Sequence, residues 1–382
     1  MERIASIGLS VALCVGCGPE SAGAGADGGG RDARSTPSDG APNDRDARPS
    51  PLDAHTPHAD GGPGEGWVNV TPADMDTGEY GPGYIRADPD RPGEMYVGAG
   101  SGGLWKSTDY GLTWRRISET TGHFTLALAP GTPGPTFYTA PGDASGRALK
   151  SVDGGLTWTT VGEGGLVADL YSIVVDPYDP QHLLSGLHES HGLYESVDGG
   201  DHWRSIAIPE GGSSWYPFFL DTGDPSSTRR TWLMLTQEVG SSVGTQRTDD
   251  GGATWTEVSG NRHMHGACQI YQPGAPVIFM AGSEGIQRSE DLGLTWSVVD
   301  SARQSVVWGT PFNVYGTYSW ATGGSDPPNF QVASQPGTAW TSVATPPSMD
   351  HGATSVAVVN DGTHYIFVGV MWRAGIWRYV EP

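Results

Sequence analysis

Ser151-Val152-Asp153-Gly154-Gly155-Leu156-Thr157-Trp158 is one copy of an octet that the chain writes five times. The others are STDYGLTW (107–114), SVDGGDHW (196–203), TDDGGATW (248–255) and SEDLGLTW (289–296), and a worn form, SQPGTAW, ends at Trp340. The tryptophans that close them, Trp114, Trp158, Trp203, Trp255, Trp296 and Trp340, stand 44, 45, 52, 41 and 44 residues apart. A repeat of about 45 residues accommodates a four-stranded antiparallel sheet. Within the octet, an Asp carboxylate placed to accept backbone N–H groups and a Gly able to take a positive φ describe a tight turn between two strands. The Trp then packs into the neighbouring sheet.

The rest of each unit agrees. A strand such as GLWKS (103–107), GLYES (192–196) or GIQRS (285–289) precedes the octet, and a Trp-x-x-Val/Ile strand follows it. Two apolar runs split by Asp/Pro/Gly turns come earlier, for example YSIVVDP and HLLSGL. The last unit runs SVAVV, YIFVGV and GIWRYV (375–380) and stops without its Trp-x-x-Val strand. That strand stands at the other end, as Trp67-Val68-Asn69-Val70. The expectation is an all-β, seven-bladed β-propeller of four-stranded antiparallel blades over 67–382, closed by the N-terminal strand pairing in the last blade. Closure removes two bare sheet edges.

Composition points the same way. Fifty-eight Gly and 29 Pro make up almost a quarter of 382 residues, and only 17 % are charged. Such punctuation excludes a helical bundle or a doubly wound sheet. Twenty-one Lys and Arg against 43 Asp and Glu leave a net charge of −22, which repels phosphate backbones, so nucleic acid is not an expected partner. A monomer is expected.

Residues 1–17 read as a secretion signal, with Arg3 before the apolar stretch Ile4 to Val15. Its ending, Cys14-Val15-Gly16-Cys17, resembles a bacterial lipobox, although Cys14 stands where that pattern prefers Leu. The resemblance implies lipidation of Cys17 and a place in the bacterial cell envelope; an ordinary cleaved signal would make the protein extracellular. Either way only Cys268 stays in the body, so no disulfide framework is expected. Residues 18–66 are Gly, Pro, Ala, Asp, Ser and Arg with almost nothing apolar, and read as a disordered tether.

The octet resembles the Asp-box, or BNR repeat, of sialidases, xyloglucan-active glycoside hydrolases, sortilin-type receptors and the photosystem II assembly factor. That likeness implies that Asp109, Asp153, Asp198, Asp250 and Asp291 are structural and face away from the ligand. It identifies a scaffold shared by enzymes and binding proteins, not an activity. A sialidase needs three arginines and a Tyr/Glu pair; GYIRADP (83–89) matches only faintly, and Arg147, Arg262 and Arg373 lack sialidase context. Xyloglucan-active relatives set a cleft between two propellers, and this chain has one.

With strands named a to d outwards from the axis, the octets are c–d turns and share a face with the a–b turns. The b–c and d–a loops make the opposite face. It carries His123, His188, His191, His263, His265 and His351 with Trp215, Tyr216, Trp308, Trp372 and Arg373 as candidate ligand-binding residues. Asp169, Glu189, Glu238, Glu284 and Asp350 are its candidate catalytic carboxylates. Aromatic rims stack on sugars and paired carboxylates cleave glycosidic bonds, so polysaccharide binding, with or without hydrolysis by two of the five, is the leading expectation. The alternative is a non-catalytic scaffold for an envelope protein, in which these His and Trp residues cap strands and fill blade interfaces. No cofactor is expected; a metal on His188 and His191 is a weaker reading, since His-Glu-Ser-His is not a specific ligand spacing.

Overall fold

The computed structural model describes residues 66–78, 81–119, 125–131, 134–140, 147–162, 170–264, 268–319, 330–349, 351–371 and 373–382, with the backbone alone at Tyr171. The signal, Cys17 and the tether lie outside these residues. So do His123, Asp169, His265, Asp350 and Trp372.

The described strands form seven antiparallel sheets of four strands each. Blade 1 is typical: strand a is Pro82–Ala87, b Met95–Ala99, c Gly103–Ser107 and d Arg115–Ser118. Blade 7 takes a to c from Ala353–Asn360, Tyr365–Met371 and Gly375–Val380, and its d strand is Val68–Asn69 from the other end of the body. Val68 pairs antiparallel with Arg378 and Asn69 with Trp377, and the Val70 amide donates to the Ile376 carbonyl at 2.9 Å. The expected closure is therefore the observed one. Trp67, 5 % exposed, fills the junction of blades 6 and 7 beside Trp308, Phe330, Phe367 and Trp377. Truncating an indole so placed costs about 3–5 kcal/mol.

Glu381, just beyond strand c of blade 7, adds a second clasp to blade 6. Its buried Oε1 accepts from Asn313 Nδ2 at 2.8 Å, Tyr315 OH at 2.9 Å and Thr310 Oγ1 at 3.1 Å. Blade 3 contains a buried polar row: His182 Nδ1 lies 3.1 Å from Asp176 Oδ2 and Nε2 2.9 Å from Glu195 Oε1, with Arg204 paired to Glu195 and Thr228 Oγ1 donating to Asp176. Burial lowers the His182 pKa, but the two carboxylates outweigh it and the net shift is upward.

Each octet closes on itself as the residue types require. In blade 2, Asp153 Oδ1 accepts from Ser151 Oγ and from the Leu156 and Thr157 amides, while Oδ2 accepts from Thr157 Oγ1. Asp109, Asp250 and Asp291 repeat the pattern, and in blade 3 His202 takes the threonine's place on Asp198. The threonine hydroxyl bond first, then the amide bonds, hold Asp153, Asp250 and Asp291 at a pKa of about 2. The fourth octet residue is left-handed whether it is Gly154 (φ 75°), Tyr110 (φ 58°) or Leu292 (φ 59°), and the turn tolerates the last two at a cost of about 1–2 kcal/mol each. The amide of that residue reaches the a–b side of its own blade: Tyr110 N to Gly93 O at 3.1 Å, Gly251 N to Arg230 O at 3.0 Å, Leu292 N to Pro276 O at 2.9 Å. Octets and a–b turns thus share one face, which leaves the b–c and d–a loops together on the other.

Candidate functional site

On the b–c/d–a face the loops of blades 3 to 6 interlock through backbone bonds. Glu189 N donates to Ser214 Oγ at 2.8 Å and Gln237 N to Ser213 O at 3.1 Å. Glu238 N donates to His263 O at 2.9 Å, and His263 N to Thr236 O at 2.9 Å. Ser283 N donates to Arg262 O at 2.8 Å and Glu284 N to Asn261 Oδ1 at 2.9 Å. Each d–a segment is thereby tied to the b–c loops on either side of it. The result is a continuous wall rather than separate flexible loops.

This wall corrects four candidate ligand residues. Trp215, Tyr216 and His263 are completely buried and Trp308 is 1 % exposed. Tyr216 and Trp308 sit inside the innermost strands Tyr216–Phe219 and Val306–Gly309, not in loops. Trp308 stacks on Tyr315 at 5.6 Å with Phe330 and Phe367 edge-on, so both of its faces are occupied by blades 6 and 7. His263 has Nε2 2.8 Å from Ser214 O and Nδ1 2.8 Å from Met264 O, with Tyr216 edge-on at 4.5 Å. Trp215 lies under His191 at 5.8 Å, and its carbonyl accepts from Ser172 Oγ. Bulky side chains at the start of an innermost strand are drawn into the blade interface, where burial is worth about 25 cal/mol per Å².

What remains presented is polar. Glu189, in a left-handed conformation at φ 43°, is exposed, with its Oε1 3.9 Å from His188 Nε2. His188 itself is largely buried, and exposed His191 has Nε2 3.1 Å from Pro209 O. Glu238 forms an ion pair with Arg303, a partner the sequence did not single out. Glu284 is exposed and accepts from Gln287 Nε2 at 3.0 Å. His351 is half-buried and Arg373 exposed, the latter left-handed at φ 61°. The three described carboxylates occupy the b–c loops of three successive blades, each with its own neighbours. Among the described residues no group of three His, Cys, Asp or Glu is placed to hold a metal ion, so the His188/His191 reading gains no third ligand. Cys268 is fully buried, and burial raises its thiol pKa well above the ordinary value, which suits core packing and not nucleophilic chemistry.

No protein-family model matches the chain, and no curated protein matches it. Among solved structures, YCF48 from Cyanidioschyzon merolae aligns with a TM-score of 0.53 at 14 % identity, covering 83 % of this chain and 99 % of that one. YCF48 bound to D1 peptide aligns at 0.55 and 13 %, covering 84 % and 98 %. U3-55K aligns at 0.55 and 10 %, covering 83 % and 98 %. Identities this low carry likeness of fold alone, and by that fold the chain is a seven-bladed β-propeller.

Proposed function

We propose that the protein is a non-catalytic binding propeller of the bacterial cell envelope, held by lipid on Cys17 and a tether over 18–66, whose b–c/d–a face receives a protein segment. The observation that carries the reading is the interlocked wall of blades 3 to 6. It presents Glu189, His191, the Glu238–Arg303 pair and Glu284 on a rigid frame, and buries the indole and phenol rings that sugar stacking would need. A rigid polar rim suits hydrogen bonding to peptide groups. A fold neighbour solved with a bound peptide shows that the scaffold is compatible with that use.

The test is photo-crosslinking in the envelope from a benzoylphenylalanine placed at Glu284 or His191, set beside a glycan array probed with the unlipidated chain. A discrete protein adduct at both positions, absent when the probe sits at Leu294 on the octet face, supports the reading. Saturable binding to a glycan, with no protein adduct, overturns it in favour of the polysaccharide alternative.

A further inference from the structure

The octet turns fold their charge inward and their aliphatic groups outward. In blade 2 both oxygens of Asp153 are consumed within the turn, while Val152 and Leu156 stand 65 % and 63 % exposed. Blades 1 and 3 repeat this with Leu112 and Val197, and the a–b turn of blade 3 adds Tyr178. The matching octet positions are Asp249 and Ala253 in blade 4 and Glu290 and Leu294 in blade 5. Aliphatic tips are thus concentrated on three consecutive blades. Single aliphatic groups carried on turn tips suit an interface into which short side chains dip, and tyrosine is at home at headgroup level.

The course of the chain selects the same face. Strand c of blade 7 runs towards the octet face and Val68–Asn69 is antiparallel to it, so the backbone at Gly66 and Trp67 joins the body at the octet face, beside blade 1. Whatever precedes residue 66 leads away from that side.

From this we infer that the octet face of blades 1–3 rests on a phospholipid surface, with Leu112, Val152, Leu156 and Val197 dipping into it. A net charge of −22 is repelled by anionic headgroups, so the surface is zwitterionic. The polar wall then faces away from the bilayer, open to a partner. The inference rests on the envelope reading above for the presence of a membrane, but not on the acyl chain.

The chain from residue 18, which retains every strand of the seven sheets and carries no acyl group, tests it by flotation with phosphatidylethanolamine–phosphatidylcholine vesicles. The wild type is expected to co-float, L112S/V152S/L156S/V197S to lose about tenfold or more in partitioning, and L294S to match the wild type. The single variant L156D, which adds a charge at an exposed tip, gives a loss that does not depend on the fourfold variant folding. Absence of co-flotation by the wild type, or equal flotation of L156D, overturns the inference. So does sedimentation showing a dimer that the fourfold variant dissolves, which assigns the face to a second copy. Mass spectrometry of Cys17 from envelopes reports the anchor separately, so loss of one result leaves the other standing.

Discussion

Replacing Glu381 by Ala removes the acceptor that joins the end of the chain to blade 6. Three donors converge on its Oε1, from Thr310, Asn313 and Tyr315, and the residue is only 5 % exposed. A hydrogen bond to a charged group contributes about 1.5–3 kcal/mol, and a buried donor left without a partner forfeits its desolvation cost as well. Asn313 is half-exposed and recovers water; Thr310 keeps the amides of Phe312 and Asn313 on its hydroxyl. Tyr315 carries the main loss, because its hydroxyl is buried against the clasp and burial, followed by the Glu381 charge, raises its pKa far above the ordinary phenol value. The expected cost is about 3 kcal/mol for E381A. E381Q retains a neutral carbonyl acceptor and should cost about 1 kcal/mol. Urea titration followed by tryptophan fluorescence measures both, and an unchanged m-value shows that the same unit unfolds. An E381A stability within about 0.5 kcal/mol of wild type would refute the clasp.

Adjacent glycines of one octet separate local strain from blade packing. Gly154 and Gly155 are both left-handed, yet a Cβ on Gly154 meets nothing within 4 Å whereas one on Gly155 falls 2.3 Å from Leu104 Cδ2 of blade 1. G154A should cost about 1 kcal/mol and G155A about 2–4, read from urea midpoints. Acid should unfold the body through its octets: Asp153, Asp250 and Asp291 have folded pKa values of about 2, below their unfolded value, so they stabilise the fold above pH 4 and that contribution is lost as pH falls from 4 towards 2. D153N/D250N/D291N should flatten the urea midpoint across that window. In blade 3, His182 has its pKa raised, so its contribution is full below its unfolded value near 6.5 and is lost as pH rises through the folded one. H182A leaves Asp176 and Glu195 buried without it and should cost about 3–5 kcal/mol at pH 6, measured by the same titration.

The blades were legible because their punctuation is local. Ser, Asp, Gly and Trp at fixed offsets specify the turn whatever lies around them, and Trp67-Val68-Asn69-Val70 supplies the strand that the end of the chain lacks. The candidate face was legible as a set of loops but not as a set of exposed side chains. Tyr216 and Trp308 read as loop residues because strand onset at the axis has no turn signal, and their direction is decided by the adjoining blade. His263 reads like a binding histidine, but its ring is spent on Ser214 and Met264 carbonyls, one of them 49 residues distant. Arg303 stood in an unremarked segment, SARQSVVW, and only the fold brings it to Glu238 across 65 residues.

The assignment of loops to faces depends on the ring being closed by Val68 and Asn69 against strand c of blade 7. V68C/R378C in the chain from residue 18, where the one other cysteine is the buried Cys268, tests this directly. Oxidation should join the paired positions in essentially every molecule, giving a gel-mobility shift that reductant reverses. The joined ring should be more stable by up to about 5 kcal/mol, the loop-entropy value for a span of this length. Failure to cross-link in the folded protein, or a cross-link formed only between molecules, would contradict the closed ring and the face built on it.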